Sequence, residues 1–175
     1  MALLALIVAV LGGGAYWWWR VQMMRDAASG VFDLAGKAKG AVSRARFKHK
    51  AGSSVLAGVD SPGMAAATLV YSLMAMKRPL GLSDEDKIDH MLETVCRMNM
   101  KDREDAMSFA AWASGRVADT NEIVRRFMPL WQGALAGPER QQLVDMALEA
   151  AELGGAPTDA QTSVVKRLSE GLLRG

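Results

Sequence analysis

The sequence predicts an all-α protein: a single amino-terminal transmembrane helix, a basic juxtamembrane neck, and a compact bundle of about six helices. Three observations carry that expectation. Residues 1–19 contain no charged side chain. The following thirty residues hold a large excess of Lys and Arg. From residue 63 onward apolar positions recur at helical spacing between Gly, Pro and capping residues, with no period-two alternation to suggest a strand.

The anchor, residues 1–20, begins with an unbroken apolar run over residues 2–11. It continues uncharged through Gly12, Gly13, Gly14 and Ala15 and closes on Tyr16, Trp17, Trp18 and Trp19. About eighteen uncharged residues approach the shortest helix that crosses ~30 Å of hydrocarbon. Phenol and indole rings favour the headgroup level, so Tyr16, Trp17, Trp18 and Trp19, with Arg20 and Arg25 beyond them, mark a membrane interface. A cleaved signal peptide would open on basic residues and end on small ones. Here Arg20 is the first basic residue, and bulky rings stand where cleavage would occur.

Residues 21–50 form the neck. From Arg20 to Lys50 eight basic residues face two acidic ones, Asp26 and Asp33, a net charge of +6. Positive flanks stay in the cytoplasm, which sets the amino terminus outside and the rest of the chain on the cytoplasmic face of the inner membrane. Val31, Leu34, Ala35, Ala38, Val42 and Ala45 make one helical stripe. Lys37, Lys39, Arg44, Arg46, Lys48 and Lys50 form a basic face suited to anionic lipid, at about 1 kcal/mol per basic residue near the surface. Few aromatics interleave these charges, so nucleic acid is not an expected partner. Residues 51–62, with small residues, Gly52, Gly58 and Pro62, read as a flexible linker.

The body, residues 63–175, is long enough for one domain and too short for two. Residues 63–77, apolar nearly all round, suit a central buried helix. Pro79 and Gly81 stop it. Ser83 is expected to cap a second helix with a stripe of Ile88, Met91, Leu92 and Val95, ending at Asn99. Asp102 is expected to cap a third, running to Val117, with Phe109, Trp112 and Ala113 inward. Thr120 should cap a fourth, in which Pro129 should kink or end the helix. Pro138 should open a fifth from its first position, with Leu143, Met146, Ala147, Ala150 and Leu153 as its stripe. Thr158 or Asp159 should cap the sixth, which carries Val164, Val165, Leu168 and Leu172. The methionines fall mostly on these stripes, as core filling does; a Met-rich partner groove is the alternative.

No phosphate loop, dinucleotide fingerprint, zinc spacing or nucleophile elbow occurs, so neither an enzyme nor a cofactor is expected. The single cysteine, Cys96, excludes an intrachain disulfide and reads as a small core residue of a helix. His90 lies among acidic neighbours on an outer face. The one acidic cluster to weigh for a metal is Asp84, Glu85 and Asp86. Hard cations need several oxygens around one point, whereas consecutive helical residues diverge by about 100°. No Ca²⁺ or Mg²⁺ binding tighter than roughly millimolar is expected.

The segment Leu82-Ser83-Asp84-Glu85-Asp86 after Arg78-Pro79-Leu80-Gly81, and the segment Ala151-Glu152-Leu153-Gly154-Gly155-Ala156-Pro157-Thr158-Asp159-Ala160-Gln161, resemble the two halves of the TerB-like helical domain of tellurite resistance. Asp86 stands where that family has Glu, Gly154 where it has Asp, and Gln161 where it has Glu. The stretch over residues 83–100, ending Arg97-Met98-Asn99-Met100, is similar to the amino-terminal region of DjlA-type membrane co-chaperones, as is the order anchor, neck, helical domain. The His-Pro-Asp motif of their J domain is absent, so stimulation of a heat-shock chaperone is not implied. The resemblance implies a membrane-anchored adaptor for a protein partner, an accessory factor of a membrane complex or an envelope stress response. Its alternative is a metal-responsive protein of tellurite or oxyanion stress.

Overall fold

Ser61 starts the first helix. Its Oγ accepts from the Met64 N–H at 3.4 Å, and Pro62 follows at the first helical position, where a missing N–H costs nothing. The resulting α1, Pro62–Ala75, buries nine of its fourteen residues, and it packs against α2, α3, α4 and α5. An all-round apolar helix has no solvent face to offer, which is why α1 becomes the axis of the bundle. The structure, a computed structural model, describes residues 55–174. The anchor, the neck and residues 51–54 lie outside the described residues.

Five further helices follow: α2 Leu82–Thr94, α3 Met100–Ser114, α4 Thr120–Ala134, α5 Gly137–Glu152 and α6 Asp159–Leu173. All described regular structure is helical, as expected. Helix α6 lies against α4 and α5 and closes the bundle. The core is built around Trp131, Phe109 and Phe127, each at most 2 % exposed, with Leu69, Leu73, Ile88, Leu92 and Leu168. Burying each of these side chains contributes about 1.5–3 kcal/mol. Phe127 and Trp131 meet edge to face at 5.8 Å, and the Trp131 Nε1–H donates to the Pro62 carbonyl at 3.2 Å.

Several helix ends differ from the sequence expectation. Ser83 does not cap α2. Gly81 occupies that position, and Asp84, three residues on, accepts from the Gly81 N–H at 3.0 Å. Asn99 rather than Asp102 caps α3, its Oδ1 accepting from the Asp102 N–H at 3.0 Å. Asp119 rather than Thr120 caps α4. In α5 Pro138 takes the second position, because the Glu139 carboxylate reaches back to the Ala136 N–H at 2.7 Å and sets the start one residue earlier. Helix α3 stops at Ser114, short of Val117. Helix α4 runs through Pro129 to Ala134. Pro129 and Arg125, whose carbonyl loses its donor there, both lie on the exposed side, where water can serve that carbonyl.

The stretch read as a linker is part of the body from residue 55. Leu56 is 2 % exposed, and Val55 and Val59 pack against the core beside it. Gly58, at φ +87°, supplies the left-handed turn that brings these apolar side chains back toward α1.

Candidate functional site

A cleft of about 600 Å³ opens where the amino-terminal ends of α1, α3 and α5 come together. Ser61, Pro62 and Gly63 form one side, the α2–α3 connection from Val95 to Asn99 a second, and Leu135, Pro138 and Glu139 a third. Ala66, Leu143 and Met146, all buried, make its floor, while Arg97, Asp102, Glu139 and Gln142 are exposed on its rim.

The α2–α3 connection shapes this cleft. Arg97 sits at φ +50°, the left-handed conformation that ends helices and that glycine adopts without penalty. Beyond it the Met98 N–H donates to the Leu92 carbonyl at 3.1 Å and closes the end of α2. Cys96 therefore lies just past the helix rather than within it, half-buried against the core. Arg103 braces the connection from α3: its guanidinium donates to the Met98 carbonyl at 3.0 Å and to Asp89 at 2.9 Å, and it pairs with Glu93. Gly63 lets Met98 approach α1, since a Cβ there would lie 2.7 Å from the thioether sulfur.

Chemically the cleft joins an apolar floor to a rim of mixed charge. Burial pushes the Cys96 thiol up to about 11, so it is protonated at neutral pH and a poor nucleophile. Among the described residues no histidine lines the cleft to serve as its base. Both rim carboxylates are already engaged, Asp102 with the Asn99 side-chain amide at 2.7 Å and Glu139 with the Ala136 N–H.

The acidic cluster Asp84, Glu85 and Asp86 is pulled in three directions. Asp84 is buried under Arg78, which donates to both carboxylate oxygens at 2.7 and 2.9 Å. That pairing, with the Gly81 N–H, lowers its pKa to about 2. Glu85 accepts from the Tyr71 hydroxyl at 3.4 Å. Asp86 is exposed in a shallow groove of about 350 Å³, with Lys87, His90 and Glu149. Among the described residues no three His, Cys, Asp or Glu side chains are grouped to hold a metal.

Two polar residues, neither of them expected from the sequence to bridge helices, tie α1 to the α5–α6 corner. Gln161, fully buried, donates to the Leu73 carbonyl at 2.8 Å and accepts from the Thr158 N–H at 2.9 Å. The Lys77 ammonium donates to the carbonyls of Ala151 and Gly155 at 2.7 and 2.8 Å. The only sequence signal for either was the Thr158-to-Gln161 spacing of a capping box.

Tyr16, Trp17, Trp18, Trp19, Arg20 and Arg25, expected at a membrane interface, and Lys37, Lys39, Arg44, Arg46, Lys48 and Lys50, expected to face lipid, lie outside the described residues. Among the described residues no helix is long and apolar enough to cross a membrane. No family model matches this chain, and no curated protein or solved structure matches it.

Proposed function

We propose that this chain is a non-enzymatic, membrane-anchored adaptor whose helical body, of the TerB-like kind, docks a protein partner at the cytoplasmic face of the inner membrane. The cleft between α1, α3 and α5 is the observation that carries this reading. An apolar floor under a mixed-charge rim is how a surface that orients a protein segment is built. The uncharged segment over residues 1–19 and the +6 neck supply the reason for a membrane location and for binding anionic lipid. On this reading the protein serves as an accessory factor of a membrane complex or of an envelope stress response. The metal-responsive alternative draws no support from Asp84, whose carboxylate is committed to Arg78 and Gly81.

The test uses the full-length chain in bacterial membranes with a photo-crosslinking residue at Gln142 on the cleft rim, or at Ser163 on the outer face of α6. A defined protein adduct is expected at Gln142 and not at Ser163. Equal labelling at both sites, or none at either, would overturn the cleft assignment. Extraction at alkaline pH should leave the protein in the membrane pellet and release a variant lacking residues 1–20.

A further inference from the structure

We draw no further inference here: the strongest candidate, the sulfur-bearing trio Cys96, Met98 and Met146 in the cleft at the amino-terminal ends of α1, α3 and α5, belongs to the site already described, and nothing in the structure brings the three sulfurs to a common point or shows what covers them.

Discussion

Gln161 and Leu73 are joined by a buried hydrogen bond, the side-chain amide of one donating to the main-chain carbonyl of the other at 2.8 Å across 88 residues of sequence. The same side chain turns its oxygen to the Thr158 N–H, so one amide closes the start of α6 and the end of α1 together. An amide suits this position because it offers a donor and an acceptor; an ionised carboxylate offers only acceptors.

Replacing Gln161 should therefore be costly. Gln161→Ala leaves the Leu73 carbonyl and the Thr158 N–H without this partner, a loss of about 2–3 kcal/mol read by urea unfolding of the body. Gln161→Glu should cost more at pH 7 than Gln161→Ala. Burial beside a carbonyl raises the folded-state pKa of the new carboxyl above its unfolded value near 4.3. The protonated form is then retained at low pH, and stability is lost as pH rises through the folded pKa. The gap between this variant and the parent should narrow between pH 7 and pH 5; a constant gap would show that the carboxyl meets water.

Lys77→Met keeps much of the side-chain volume and removes the ammonium that gathers the Ala151 and Gly155 carbonyls. A charge-assisted hydrogen bond contributes about 1.5–3 kcal/mol, less where it is partly exposed, so a loss of about 1–2 kcal/mol is expected. Amide exchange over residues 153–157 should accelerate more than exchange in α3. Uniform acceleration would mean that the corner is not held locally.

Arg97→Gly relieves a left-handed residue at the end of α2. Stability should rise by about 0.5–1 kcal/mol, measured as a shift in the denaturation midpoint. Because Arg97 is also a rim residue of the cleft, the adduct formed through Gln142 should weaken in the same variant. A stabilised variant that crosslinks normally would assign Arg97 to the backbone alone.

Asp84 should make the body acid-sensitive. The Arg78 guanidinium and the Gly81 N–H hold its folded pKa near 2, below the unfolded value of about 3.9. The stabilisation it provides is complete above the unfolded pKa and is lost as pH falls toward 2. Asp84→Asn should thus unfold more easily than the parent at pH 6, and the two denaturation curves should converge as pH approaches 2. Curves that stay parallel across that window would show that the carboxylate charge is not what holds the α1–α2 turn.

The helices themselves were legible in the sequence because their signals are local. The all-round apolar character of α1, the stripes of α2 and α6, and the Thr158 cap are each readable within one or two turns. Cap positions were less legible because cap-forming residues cluster. Asn99 and Asp102 lie three apart, Gly81 and Ser83 two apart, and either member of a pair can begin a helix. The choice rests on which residue leaves helical geometry, and that depends on how the preceding chain is packed.

By itself, the sequence determined an all-helical body of six segments, with its principal apolar faces, and an uncharged stretch followed by a basic one. Those properties follow from side-chain spacing and charge along the chain. Tertiary structure alone decided that Leu56 belongs to the core, that Gln161 meets Leu73, that Lys77 gathers the α5–α6 corner, and that three helix ends enclose one cleft. Each of these depends on groups far apart in sequence meeting at one point. Local periodicity says which face of a helix avoids water, but not which partner that face will find.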